Sequence, residues 1–127
     1  MPLVRVDLQR GRSKSELKAI LDAEHKILVQ DFGVPARDRY QIVTQHDPEE
    51  MEIEDTGFGI DRTDKFVMIQ ITMRGGRTET QKRTFYEDLV KELQSSAGIE
   101  PNDVMVVISE NGSPDWSFGN GAAQFLN

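Results

Sequence analysis

An α+β fold is predicted for this chain: two β-α-β units in tandem, forming a four-stranded sheet with both helices on one face. Three observations carry that prediction. Shifted by 65 positions, residues 3–46 align without a gap on residues 68–111, placing Gly11-Arg12-Ser13 on Gly76-Arg77-Thr78, Gly33 on Gly98 and Asp38 on Asp103. Each copy opens with an apolar run of period two and continues with apolar residues at helical spacing. Each helical stretch then runs into a glycine with a proline close behind, the pattern of a helix that stops in the left-handed conformation.

The elements follow in order. Leu3 to Leu8 reads as the first strand, with Val4 and Val6 on one face. Ser13 and Glu16 form an S-x-x-E capping box, in which each side chain satisfies a backbone donor that the first helical turn leaves free. Leu17, Ile20, Leu21, Ile27 and Leu28 supply the helix's apolar face, Gly33 ends it, and Tyr40 to Val43 form the second strand. The second copy repeats the pattern: Phe66 to Met73, then Thr78 with Gln81 as cap, then Phe85, Leu89 and Leu93, then Gly98, then Met105 to Ile108. A strand, helix and strand joined this closely imply a parallel right-handed crossover in each copy. Residues 47–65 are acidic and read as a connecting loop with a short strand around Met51 to Ile53. The tail from Asn111 to Asn127 carries Trp116, Phe118 and Phe125, too much aromatic surface for a solvated tail, and is expected to fold over a cleft or a neighbouring subunit. The whole, residues 1–127, is read as one domain of two pseudo-repeats, about 2–46 and 67–111.

Composition narrows the function. The chain has 127 residues, 37% hydrophobic and 29% charged, enough for a buried core without staples. No apolar run approaches a membrane span and no signal-peptide core opens the chain, so a cytoplasmic location without membrane contact is expected. A net charge of -7 opposes nucleic-acid binding. With no cysteine there is no thiol nucleophile, disulfide or thiolate metal site. His25 and His46 have no second histidine at helical spacing, so they are expected to be surface or internally satisfied residues, and no metal or cofactor is implied.

One chemical centre stands out. Pro2 follows the initiator Met1, and removal of that methionine would leave a secondary amine able to act as acid, base or nucleophile near neutral pH. Its counterpart in the second copy is Val67, so only one copy can offer an amine. Arginines precede both helices, Arg10 and Arg12 in one copy and Arg74 and Arg77 in the other. A cation at a helix N-terminus opposes the helix dipole unless an anion visits, and a guanidinium beside free amides suits a carboxylate. Asp38 sits in a Pro-Ala-Arg-Asp-Arg turn; beside an amine it would favour the protonated form or polarise a water, whereas Asp103 reads as a turn-forming aspartate.

Pro2, the duplicated unit and the Gly-Arg before the first helix resemble the tautomerase superfamily. Within it, Phe32 to Gln41 (FGVPARDRYQ), Gln45 to Gly59 (QHDPEEMEIEDTGFG), Gln81 to Tyr86 (QKRTFY) and Asp115 to Gly121 (DWSFGNG) are similar to the malonate semialdehyde decarboxylase family. That resemblance implies a homotrimer, no cofactor, and a small carboxylate substrate. It also implies Pro2 and Asp38 in catalysis, Arg74 and Arg77 in catalysis and substrate binding, and a hydrophobic wall of Trp116, Phe118 and Phe125. The arginines stand one residue further apart here than in the family pattern; Arg77 also fits the repeat register. The implied reaction is decarboxylation of a small 3-oxo acid such as malonate semialdehyde. Ketonisation of enols, hydration or dehalogenation of unsaturated acids, and a non-catalytic trimeric binding module are the alternatives.

Overall fold

The computed structural model describes residues 1–126. The chain runs β1 (Leu3–Gln9), α1 (Lys14–Phe32), β2 (Tyr40–His46), β3 (Val67–Arg74), α2 (Glu79–Ala97) and β4 (Val104–Asn111), with single 3-10 turns at Pro48–Glu50, Pro101–Asp103, Ser113–Asp115 and Gln124–Leu126. Both predicted capping boxes form: the Ser13 hydroxyl accepts from the Glu16 amide and the Thr78 hydroxyl from the Gln81 amide, while each N3 side chain accepts from the cap's own amide. Gly33 and Gly98 end the helices with the same left-handed backbone, φ 66 and ψ 26, where a β-carbon would be strained.

The sheet order is β2-β1-β3-β4. β1 pairs with β2 and β3 with β4 in parallel, whereas β1 and β3 are antiparallel. Leu3 faces Tyr40 and Met68 faces Met105, so the 65-residue register of the sequence is also the register of the two ladders. Arg5 lies opposite Gln70, its own repeat counterpart, which puts a local twofold axis through the middle of the sheet. Antiparallel pairing at the centre sets the layout that matters for function. It brings the start of β1, the start of β2, and the ends of β3 and β4 to one end of the sheet.

Val4, Val6 and Leu8 of β1 and Val67, Ile69, Ile71 and Met73 of β3 are buried beneath both helices, which contribute Ile20, Ile27, Leu28, Phe85, Leu89 and Leu93. Phe32 and Phe85 stack at 4.6 Å where the helices meet. The opposite sheet face leaves Tyr40, Ile42, Met105 and Val107 exposed. No helix among the described residues is long and apolar enough to cross a membrane.

The strand expected at Met51 to Ile53 does not form. Pro48 starts a 3-10 turn that ends with the Met51 amide on the Pro48 carbonyl, and the segment joins no ladder. The alternation that suggested a strand is real, because Met51 and Ile53 are half-buried between exposed glutamates. They cover a hollow beside Phe66 and Arg62 instead of a sheet edge. Asp103 is more than a turn residue: it is buried, and its carboxylate accepts from the Thr63 amide at 2.7 Å and the Thr63 hydroxyl at 2.5 Å.

Glu24 of α1 is fully buried; its Oε2 accepts from Gln41 Nε2 at 2.5 Å, and its Oε1 has no partner among the described residues. Burial pushes its carboxyl up from 4.5 to about 7, against the opposing pull of Gln41 and Arg39. A carboxyl with a raised native pKa holds its proton more tightly when folded, so its contribution is complete below the unfolded pKa and is lost as pH rises through the native one. Stability is therefore expected to fall by about 3 kcal/mol from this group across roughly pH 4.5 to 8. Denaturant midpoints through that range should show the decline in the native protein and lose this part of it in Glu24→Gln; an unchanged slope would assign the effect elsewhere.

Candidate active site

The end of the sheet defined by antiparallel pairing collects the residues singled out in the sequence. Pro2 is buried at the start of β1. The amino nitrogen of Met1 lies 3.6 Å from Asp38 Oδ2. Asp38 precedes β2, fixed by its amide on the Pro35 carbonyl at 2.9 Å, and it is only 7% exposed. Its Oδ2 has no hydrogen-bond partner among the described residues. A buried carboxylate oxygen costs free energy unless something cationic faces it, and here that group is the chain's amine.

Arg74 at the end of β3 and Arg77 before α2 line a cleft of about 280 Å³ with Gly75, Asn111, Gly112 and Ser113. Gly76 between them takes φ 120, as its counterpart Gly11 takes φ 137, a backbone that L side chains rarely adopt. Arg74 donates to the Ser113 hydroxyl at 3.3 Å and stacks over the Phe125 ring at 3.7 Å. Arg77 donates to the Arg74 and Phe32 carbonyls, each at 3.3 Å. Neither guanidinium has an acidic partner among the described residues. The tail crosses the same end: Trp116 and Phe118 stack at 5.4 Å, Phe118 meets Phe125 edge-on at 5.2 Å, and Tyr40 packs 5.8 Å from Phe118. Within its own chain the tail thus packs on Arg74 and Tyr40.

The amine feels opposing forces. Burial lowers its pKa below the ordinary 8.0, Asp38 pulls it up, and Arg77 and then Arg74 push it down, with the net result downward. The pull expected from Asp38 is thus present but outweighed. Arg77 acts on the amine more strongly than Arg74.

The opposite end of the sheet is a built-in control. There the counterparts of Met1, Arg74, Arg77 and Asp38 are Phe66, Gln9, Arg12 and Asp103. Asp103 is taken up by Thr63, Arg12 donates to the Lys65 carbonyl at 2.5 Å, and Arg10 pairs with Asp47 at 3.1 Å. The connecting segment has closed this end, leaving a hollow of about 170 Å³ lined by Gln9, Met51, Ile53, Arg62, Thr63, Asp64 and Phe66. The equivalent aspartates therefore stand satisfied at one end and without a hydrogen-bond partner at the other, whereas Arg12 and Arg77 both donate to backbone carbonyls. The Gly57 and Gly59 amides are taken up by the Asp55 carboxylate, at 3.0 and 2.9 Å, and His25 and His46 are held by the Ala36 carbonyl and Asp7.

Sequence reasoning did not pick out Asn111, Ser113 or Tyr40. Asn111 Oδ1 accepts from Trp116 Nε1 at 2.7 Å, tying the aromatic tail to the end of β4. Its backbone carbonyl receives the Gly75 amide as that of its counterpart His46 receives the Arg10 amide, so the repeat register was the signal that could have marked it.

A family model described as "Tautomerase enzyme" matches residues 38–119, and a second with the same description matches residues 2–60. The probable tautomerase YrdN of Bacillus subtilis (strain 168) is 48% identical over 126 residues, which are 99% of this chain and 97% of that protein. A crystal structure of malonate semialdehyde decarboxylase, described in terms of decarboxylase and hydratase activities, superposes with a TM-score of 0.94 at 48% identity over 98% of this chain and 95% of the other. The fused 4-OT, a symmetric trimer, shares the fold at a TM-score of 0.78 and 22% identity over 98% of each chain. With the duplicated unit, the chain start at the open end of the sheet and these matches in agreement, the chain belongs to the tautomerase superfamily of enzymes.

Proposed function

We propose that this enzyme is a cofactor-independent decarboxylase of a small 3-oxo acid such as malonate semialdehyde. The observation that carries the reading is the meeting, at one end of the sheet, of the chain's amine with a buried aspartate 3.6 Å away and two guanidiniums that lack an acidic partner among the described residues. Removal of Met1 would transfer the amine to Pro2. Arg74 and Arg77 would hold the substrate carboxylate by charge-assisted hydrogen bonds and fix the bond to be broken against the carbonyl. As that bond breaks, its electron pair moves toward the carbonyl and carbon dioxide leaves. Cationic Pro2 would stabilise the resulting enolate by a hydrogen bond to its oxygen, after which a proton returns to the α-carbon; alternatively neutral Pro2 would first condense with the carbonyl, losing water, to give an iminium that accepts the pair, and protonation at the α-carbon and hydrolysis would then release the aldehyde. Asp38 would favour the cation, and Trp116, Phe118 and Phe125 would exclude water.

A second reading is a tautomerase in which neutral Pro2 abstracts a proton; it is favoured by the downward shift at the Met1 amine, should the same surroundings act on Pro2, and by the likeness to YrdN, a probable tautomerase. One experiment separates them. Incubation with malonate semialdehyde, followed by NMR, is expected to yield acetaldehyde and carbon dioxide, with kcat/KM falling as pH rises through the amine pKa. A rate that rises through that pKa, with ketonisation of enols and no acetaldehyde, would establish the tautomerase. No turnover on either substrate class would favour a binding module. We also propose a homotrimer, supported by the unpaired outer edges of β2 and β4 and the exposed apolar sheet face. Sedimentation of the same preparation should give three times the 14.4 kDa chain mass.

A further inference from the structure

The two copies hold their equivalent aspartates in opposite ways. Asp103 is gripped by its carboxylate, through the amide and hydroxyl of Thr63. Asp38 keeps its carboxylate free for the amine, so its position must be fixed through the backbone around it. That segment is held by a row of polar side chains on α1, one reaching its backbone and two its side chains. His25 Nε2 donates to the Ala36 carbonyl at 2.8 Å, and Asp22 accepts from Arg39 Nη2 at 2.7 Å. Glu24 accepts from Gln41 Nε2, which also donates to the Leu21 carbonyl at 2.8 Å, while Gln41 Oε1 accepts from Arg39 Nε at 2.7 Å. The contacts fall on both sides of Asp38.

In the second copy the counterparts of Glu24, His25 and Gln41 are Leu89, Val90 and Val106. Leu89 is fully buried and Val106 packs against the same core. The scaffold therefore builds this position equally well from apolar residues, and a buried carboxylate with one unpartnered oxygen adds no stability over them. We propose that Glu24, acting through Gln41 and Arg39, is a positioning residue that sets Asp38 against the terminal amine, a role that rests on the proposed use of that amine in catalysis. The charged groups facing the amine are Asp38, Arg77 and Arg74, and the one facing Glu24 is Arg39, itself paired with Asp22.

The test replaces the pair by its own counterparts, Glu24→Leu with Gln41→Val, in the full chain. Packing of that pair is already proven in the second copy, so the variant is expected to fold with stability at least equal to the parent. NMR titration of protein labelled with nitrogen-15 proline should then show the Pro2 amine pKa lowered by about one unit, as Asp38 drifts from it. Turnover should drop on the order of 100-fold, with KM changed far less. Glu24→Gln, which keeps an acceptor for the Gln41 amide, should restore the amine pKa. An amine pKa unchanged in the double variant overturns the proposal, as does one equally lowered in Glu24→Gln. Because the titration needs no substrate, a shifted pKa in a protein inactive on 3-oxo acids would refute the decarboxylase reading and leave the positioning role standing.

Discussion

Pro2→Ala is expected to lower turnover about 100-fold or more, the usual contribution of a positioned acid or base, while leaving the fold intact. Alanine is small enough for Met1 still to be removed, so the variant keeps an amine but makes it primary, less basic and free to rotate. Pro2 is buried just before β1, and that packing of its rigid ring would hold a freed nitrogen in one direction; alanine would lose that fixation. Mass spectrometry of the parent should show a chain beginning at Pro2, and borohydride added during turnover should trap a substrate adduct on Pro2 if an iminium forms. A protein that retains Met1 and is fully active would end the amine hypothesis.

Arg77→Ala should reduce kcat/KM on carboxylate substrates at least tenfold, since each charge-assisted hydrogen bond contributes about 1.5–3 kcal/mol. Its guanidinium lies between the Arg74 and Phe32 carbonyls, lines the cleft, and is felt by the amine more than that of Arg74. The variant removes a cation from the amine's surroundings, so the alkaline limb of the pH profile, where the amine loses its proton, should move upward at the same time. Arg77→Lys should restore charge but not the planar fork, recovering part of the loss. If thermal stability falls while kinetics do not change, Arg77 is a brace between α1 and α2 and Arg74 carries the substrate.

Most of the fold was legible because its signals are local. Ser13 with Glu16, Thr78 with Gln81, and Gly33 with Gly98 each declare a helix end within a few residues, and the repeat register fixed which strands share a unit. The sequence could not show that β1 and β3 would run antiparallel at the centre, and this pairing brings Arg74 to the end where parallel β1 and β2 already place Pro2 and Asp38. Met51 to Ile53 misled because alternation reports which side chains are buried, not whether a neighbouring strand is there to pair with. Asp103 looked dispensable because its partner, Thr63, lies 40 positions away in a segment without periodicity. The lowered amine pKa was equally invisible, since desolvation depends on what the fold packs around Met1.

The segment that closes the far end also changes how the molecule can evolve. An assembly of identical short chains repeats every residue at every site, so a change that benefits one end is imposed on all the others. Here Leu89 can stand where Glu24 stands, and Thr63 can claim Asp103 while Asp38 stays free, without either choice constraining the other. Joining the copies has made their symmetry approximate, and an approximate symmetry lets one half be selected for packing while the other is selected for chemistry.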